Sequence, residues 1–580
     1  MRSRRPSSSQ AQNNQGRRIV LWVLFMCGFV LVLGRLFQLQ IINAQEMVDR
    51  AKRQHQKMVA LEPSRGTIMD KQGRVLAINT EVPSIFANPK MMEFSATTTQ
   101  SIAKILNQPF QEVEDKLKQS RDFVWLKRKA SREEEAQVQP WVSQGVGIVM
   151  EERRYYPKGS LLAHVLGFAG IDNQGLEGLE NRYDAELRGE VKHLLFHQDA
   201  LGRVIAHTHL GAGQSVSGNT LTLTIDEVIQ YIAENALSTA VQKSSAKGGV
   251  LIVMDPPTGE ILAWALAPTF DPNNPYPTET KYWRNRAVTD PYEPGSTLKV
   301  PLVAAALEEG VVEPGTMIYA GDGEMPVSGT VIHDHKKAGW LTFAKAVEQS
   351  SNVAAVKVAM EMGRDRVYQY LRAFGFGERT EVDLPGESKG LLKEPQDWGN
   401  RTLASIAIGQ EIGVTPLQML TALSAIANNG WLMRPYVVKD IQDGQGRLVH
   451  RNTPEVRRRP VSAHTAETTT ALLVNVVKNG TGKRAFMSDF KVAGKTGTAQ
   501  KVDPHTGKYS KTQLIGSFMG FVPAENPRLA MIVVIDEPQD PAWGGVVAAP
   551  VFRQVAEQVL RYLEVTPGQE TETITVAAVR

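Results

Sequence analysis

The sequence predicts an α+β fold standing behind one membrane-spanning helix and an intervening domain. Three observations carry this prediction. Strands with period-two alternation and hairpin turns occur beside stretches of helical periodicity. These elements gather after residue 220, and an uncharged apolar run lies near the N-terminus.

The apolar run comes first. Ile19 to Leu33 carries no charge, and apolar character continues to Ile42, interrupted by Arg35 and two glutamines. The span 19–42 is long enough for a bilayer, and Arg35 lies near its far end, where a long side chain can snorkel to the interface. No small-x-small cleavage site follows directly, so the run reads as an uncleaved anchor rather than a signal peptide. Arg2, Arg4, Arg5, Arg17 and Arg18 precede it with no acidic residue. The positive-inside rule therefore predicts a cytoplasmic tail, 1–18, with everything after the span outside. Ser, Gln and Asn at positions 7 to 15 read as a flexible tail.

Residues 43–220 show few strong periodicities, apart from charged helical stretches such as Val113 to Lys118 and Arg132 to Gln137. The Gly/Ser-rich stretch from Gly211 to Asn219 reads as a boundary. In the next region, 221–565, Leu221, Leu223 and Ile225 alternate with threonines as a strand would. Ile229, Ile232, Ala233, Ala236 and Leu237 then follow helical spacing. Val250 to Met254 and Ile261 to Leu266 form a strand pair across Asp255-Pro256-Pro257-Thr258-Gly259 turn chemistry. Leu529 to Ile535 reads as a buried strand and Val551 to Leu563 as an amphipathic helix. Residues 566–580 read as a flexible C-terminal tail.

Composition narrows the function. The 580 residues include 65 basic and 61 acidic side chains for a net +4, too balanced for the basic face of a nucleic-acid binder. Arg457, Arg458 and Arg459 form the one dense run, and it reads as a solvated loop. The single cysteine, Cys27, excludes intramolecular disulfides and cysteine metal sites. The 11 histidines include no HExxH, and His333-Asp334-His335 reads as a polar loop, so neither metal nor cofactor is expected. Gly480-Thr481-Gly482-Lys483 fails as a phosphate loop, because position 477 is Val and Arg484 stands where Ser or Thr is needed.

Three segments carry chemistry. Pro294-Gly295-Ser296-Thr297-Leu298-Lys299 starts with breaker residues and runs into the apolar pattern Val300 to Leu307, which puts Ser296 at a helix N-terminus. Positions three apart share a helix face, so the Lys299 amine can reach the Ser296 hydroxyl. A serine needs a base to become a nucleophile, and a lysine with a lowered pKa can serve. Ser-x-x-Lys alone is weak, since it recurs at Ser101 and Ser244. Ordered behind Ser296, however, stand Ser350-Ser351-Asn352 and, 145 residues after Ser350, Lys495-Thr496-Gly497-Thr498. Ser350 and Asn352 supply a hydroxyl relay and an amide that hold Lys299 and substrate. Lys495 supplies a charge for a terminal carboxylate and lowers the Lys299 pKa. Thr496 and Thr498 offer hydroxyls to that carboxylate, and Gly497 lets it approach the backbone. The backbone N–H groups of Ser296 and Thr498 would form an oxyanion hole.

This ordered triplet resembles that of penicillin-binding proteins and serine β-lactamases. Further matches, at Arg65-Gly66-Thr67-Ile68-Met69-Asp70, Arg154-Tyr155-Tyr156-Pro157, Gly175 to Glu180 and Tyr183, make the chain similar to class B penicillin-binding proteins over nearly its whole length. Gly409 to Gln418, Ala493 to Gln500 and Ser517 to Ala524 resemble septal, cell-division members most, with elongation-type and sporulation-type relatives as alternatives. The resemblance implies an antiparallel sheet flanked by helices on a pedestal of the dimerisation type. It implies a serine D,D-transpeptidase that cross-links stem peptides, taking a D-Ala-D-Ala donor and an amine acceptor, and that is a target of β-lactam antibiotics. Implied partners are membrane lipid, a membrane glycosyltransferase and division-complex proteins, with no nucleic acid. A hydrolytic carboxypeptidase, a β-lactamase or a non-catalytic penicillin-binding scaffold would share the three segments.

Overall fold

The computed structural model describes residues 8–48, 56–61, 64–89, 95–119, 123–189, 192–198, 204–208, 217–503, 506–539 and 543–567. Two compact units emerge, Met1–Pro63 with Glu190–Val216, and Ser64–Gly189 with Ser217–Arg580. The expected flexible tail, 566–580, lies almost wholly outside the described residues.

In the first unit, helix Ser8–Phe37 continues into a wider π turn, Gln38–Ile42. Residues 8–15, expected to be flexible, are helical, because an apolar helix propagates cheaply into a flank without Pro. Gly16–Ile42 is long and apolar enough to cross a membrane once, and it is the only such helix among the described residues. Arg35 donates to Gln38 Oε1 at 2.7 Å. Strands Gln56–Leu61, Lys192–Gln198 and Val204–Thr208 make an antiparallel sheet with Lys192–Gln198 in the middle.

The second unit is built on a five-stranded antiparallel sheet, ordered Ile261–Ala267, Gly248–Met254, Leu529–Asp536, Tyr509–Val522 and Ala493–Val502. Strand side chains alternate between faces. Val250, Ile252 and Met254 thus join one core with the helices of the site, while Leu251 and Val253 join another against helices Glu227–Lys243 and Ala549–Tyr562. Burial on both faces explains why these strands read as continuous apolar runs. On the first face lies Pro416–Ala427, a helix buried along its whole length.

A second sheet contains Leu448–Arg451, Val438–Gln442, Thr220–Leu223, Ile68–Met69, Val75–Ala87 and Val124–Lys127, with Val146–Tyr155 also paired to Val75–Ala87. Thr220–Leu223, read from sequence as the opening of the following domain, runs parallel to Ile68–Met69 from the preceding one. Val75–Ala87 went unread because Thr80, Glu81 and Pro83 interrupt its apolar pattern. Arg457 and Arg458 also depart from expectation. They sit on strand Val456–Arg458, paired to Leu432–Met433, with Glu378 and Glu381 as ion partners.

Three segments read as turn and packing chemistry converge on one buried carboxylate. Glu180, 0% exposed, accepts from Arg65 Nε and Arg154 Nε at 2.6 Å each, and Arg65 also reaches Asp184 at 2.7 Å. Two cations around one buried anion satisfy its lone pairs in a way one exposed pair would not.

Candidate active site

Ser296 lies on a 3-10 turn, Gly295–Leu298, that flows into helix Lys299–Glu308. Gly295 adopts φ 56°, and a Cβ there would come within 2.8 Å of the Thr498 carbonyl oxygen. A side chain is excluded both by that conformation and by that approach. The turn is fixed further by the Gly295 N–H donating to the Gly409 carbonyl at 3.0 Å and by Thr297 Oγ1 donating to the Pro294 carbonyl at 2.7 Å. In a 3-10 turn, side chains three apart eclipse. Ser296 and Lys299 therefore share the face toward the sheet edge.

The two other Ser-x-x-Lys matches are structural. Ser101 donates to the Thr97 carbonyl within its helix, and Ser244 to the Ala240 carbonyl, with Lys247 paired to Glu537.

Lys299 is 5% exposed, and its ammonium donates to the Ser350 carbonyl at 2.8 Å, to Asn352 Oδ1 at 2.6 Å and to Ser350 Oγ at 3.4 Å. The expected contact with Ser296 is not made: among the described residues Ser296 Oγ has no hydrogen bond, and it opens half-buried onto the cleft. Such contacts often tighten only when substrate is bound. Burial lowers the Lys299 pKa to about 7, against the opposing pull of Asp334. Beside it lies a cavity of about 40 Å³ whose lining is mostly apolar, with Leu302, Phe343 and Val347 among others, so little on that side solvates a charge.

Ser350 joins helices Phe343–Gln349 and Asn352–Met362 in a left-handed conformation, φ 62°. Its hydroxyl also accepts from Lys495 Nζ at 2.8 Å, so it stands between two lysines. Lys495 is 1% exposed and its pKa falls well below the ordinary value, through burial and repulsion by Lys299. The ammonium expected to face a carboxylate instead points behind the strand, toward Ser350 Oγ and the Thr496 carbonyl at 3.0 Å. Lys495 side chains alternate with Thr496 along a strand, and the inner face receives the lysine.

Two groups read as uninformative prove to hold the site. Asp334 caps helix Asn352–Met362: its carboxylate accepts from Ser351 Oγ at 2.6 Å, from the Asn352 N–H and from the Val353 N–H at 3.1 Å. Asn352 Nδ2 then donates to the His333 carbonyl at 2.8 Å, which aims Oδ1 at Lys299. Thr481, in the rejected phosphate-loop stretch, shares a hydrogen bond with Thr496 Oγ1 at 2.7 Å. Neither residue has a local pattern by which a sequence reading could single it out.

The facing wall is edge strand Ala493–Val502, whose outer side has no strand partner among the described residues. A Cβ on Gly497 would lie 2.4 Å from Ser517 Oγ and 2.9 Å from Thr297 Cγ2, so only glycine lets this strand meet the Ser296 turn. Thr498 Oγ1 accepts from the Gly544 N–H at 3.3 Å, which leaves its own proton for a ligand. Ser296, Ser350, Thr496, Gly497 and Thr498 line one cleft of about 720 Å³. No group of three or more metal-ligating side chains occurs among the described residues.

A cleft-facing serine at a helix start, a buried low-pKa lysine one turn on and a threonine-bearing edge strand define a serine-type acyl-transfer site. Comparison with known proteins makes the class specific. The family described as "Penicillin binding protein transpeptidase domain" matches residues 249–557, and "Penicillin-binding Protein dimerisation domain" matches 60–223. Stage V sporulation protein D of Bacillus subtilis is 34% identical over 95% of this chain and 86% of its own length. Peptidoglycan D,D-transpeptidase FtsI of Escherichia coli K12 is 31% identical over 94% and 92%. A crystal structure of penicillin binding protein 3 from Mycobacterium tuberculosis, complexed with aztreonam, superposes with a TM-score of 0.70 at 29% identity, covering 88% of this chain and 98% of that one. The chain belongs to the class B penicillin-binding proteins, a family of serine D,D-transpeptidases.

Proposed function

We propose that this protein cross-links peptidoglycan through a Ser296 acyl-enzyme. The observation that carries the proposal is Ser350 Oγ, held between the buried lysines at 3.4 Å from Lys299 Nζ and 2.8 Å from Lys495 Nζ, in the cleft that Ser296 enters. Neutral Lys299 takes the Ser296 proton as Oγ attacks the penultimate D-alanine carbonyl of a stem pentapeptide. The Ser296 and Thr498 N–H groups stabilise the oxyanion, an effect worth about 10²–10³ in rate per donor. The tetrahedral species collapses to an ester and expels the terminal D-alanine, whose amine receives a proton through Lys299 and Ser350. An acceptor amine then attacks the ester, the bond to Ser296 Oγ breaks, and the proton the amine gives up returns by the same route to that oxygen, leaving a new amide and free Ser296. Thr496 and Thr498 hold the donor's terminal carboxylate, and Asn352 holds Lys299. A β-lactam enters as the donor does, and its opened ring stays attached as an ester. Labelled penicillin attaches to Ser296 under this reading, and attachment that persists in Ser296→Ala places the nucleophile elsewhere.

Residues 43–220 act as the pedestal and 221–565 as the catalytic domain. The protein sits in the cytoplasmic membrane with its arginine-rich N-terminus inside and the catalytic domain outside. A periplasm-active reporter fused after residue 565 tests that orientation, and cytoplasmic activity would reverse it. Likeness to FtsI and to the PenA proteins of Neisseria supports a septal workplace with division proteins and a glycosyltransferase as partners. The 34% identity to a sporulation protein favours a second workplace, the developing spore. Fluorescent localisation through division and starvation separates the two.

A further inference from the structure

The cleft holds charges that the reaction above does not use. Lys336, Lys483 and Arg484 line it as exposed side chains, and among the described residues none of the three has an ion partner or a side-chain hydrogen bond. The cleft's acidic side chains are already engaged: Glu348 pairs with Lys345, and Asp334 caps a helix. The cleft therefore presents three unspent cations and no matching anion.

The backbone that carries Lys483 and Arg484 is fixed. Lys483 and Arg484 sit on a short 3-10 turn, Lys483–Ala485, that follows Gly480 and Thr481. A Cβ on Gly480 would lie 2.3 Å from the Glu348 carbonyl oxygen, so that turn is pressed against the end of helix Phe343–Gln349. Thr481 is tied to Thr496 at 2.7 Å, on the strand proposed to hold the donor's terminal carboxylate. The cationic rim thus borders the side of the cleft from which the terminal residue departs. The acceptor must enter there, because its amine attacks where the leaving amine left.

We infer that Lys336, Lys483 and Arg484 select the acyl acceptor, favouring one whose amine-bearing residue also carries a free carboxylate over one in which that carboxylate is an amide. This rests on the transpeptidase reading of the site. A carboxylate brought into a cleft rimmed by uncompensated, exposed cations gains charge-assisted hydrogen bonds that a carboxamide does not. Arg484 can engage it in a bidentate pair, and the lysines act as point charges. None of the three has a role in the acylation steps proposed above, so the rim is read as a specificity device rather than catalytic machinery.

The test uses the full chain in detergent with one small thioester donor and two peptide acceptors that differ only in carboxylate against carboxamide on the amine-bearing residue. The unmodified protein should transfer to the carboxylate acceptor with a preference of roughly tenfold, expressed as a lower KM rather than a higher kcat. The double variant Lys483→Gln with Arg484→Gln, checked by cooperative thermal melting, should shrink that preference to about twofold. If the double variant does not melt cooperatively, Lys336→Gln and a salt titration of the unmodified protein replace it. Salt screens exposed charge pairs, so the preference should narrow steadily as salt rises. Equal use of both acceptors by the unmodified protein, or a preference that ignores both substitution and salt, overturns the inference. Absence of penicillin labelling on Ser296 would instead remove the transpeptidase reading beneath it.

Discussion

At the residue scale, the site depends on keeping amines neutral in a dry place. Lys299 is lowered to about 7 by burial, so its neutral, base-competent form is scarce below pH 6 and dominant above pH 8. Acylation of Ser296 by a labelled penicillin should rise with pH through about 7 and then level off. A flat profile from pH 5 to 9 would mean that another group is the base. Lys299→Met should slow acylation by about 10²–10⁴, the usual loss for a general base. Asp334 acts one step away, since its carboxylate sets the Ser351 and Asn352 geometry that holds Lys299. Asp334→Asn keeps the shape of the cap but loses the charge that opposes Lys299 deprotonation. The acylation profile should therefore shift to lower pH even where the maximal rate falls, an effect a merely structural role would not produce.

At the element scale, the cleft exists because two backbones pass unusually close. Edge strand Ala493–Val502 meets the turn Gly295–Leu298 across Gly497 and Gly295, with room for no side chain at either. Gly497→Ala should push the strand outward and move the Thr498 N–H from the oxyanion position. Such a displacement costs more than tenfold in acylation, by the steep dependence of donors on placement. The protein should still melt near its ordinary temperature, because the sheet core behind Phe518 and Met519 is untouched. Unchanged acylation in that variant would show that the strand's approach is not what positions the donor. Strands Gly248–Met254, Ile261–Ala267 and Leu529–Asp536 are buried on both faces, which makes them recognisable as apolar runs. Val75–Ala87 was harder to recognise, because one stretch of it is exposed and polar.

At the scale of the whole second unit, segments far apart in sequence are joined by buried polar groups. Glu180 lies between Arg65 and Arg154 at 0% exposure, so Glu180→Ala leaves the Arg154 guanidinium buried without its anion and Arg65 with Asp184 alone. That loss should destabilise the unit by about 3–5 kcal/mol, measured by denaturant unfolding; a change under about 1 kcal/mol, the range of a surface pair, would count against the cluster's importance. Glu234 joins helix Glu227–Lys243 to the preceding segment by accepting the Leu162 N–H at 2.7 Å. Burial raises its pKa to about 7. A raised acid contributes stability that is full below about 4.5 and is lost as pH rises through 7. Glu234→Gln should remove that loss, making the variant more stable than the parent at pH 8 but not at pH 5. Equal melting shifts at both values would remove the carboxyl from this role.

The sequence alone named the side chains proposed to carry the chemistry, and it showed that an apolar helix precedes them and that helices and strands mix in the catalytic half. Those features are local: a motif, a period or an uncharged run can be read without knowing what lies opposite. Only the tertiary structure decided that Lys495 turns inward to Ser350, that Asp334 and Thr481 hold the site, and that Thr220–Leu223 pairs with a strand from before residue 70. Each of those facts is a pairing across long separation, fixed by packing and burial, and hydrogen-bond partners so chosen leave no periodic trace in the chain.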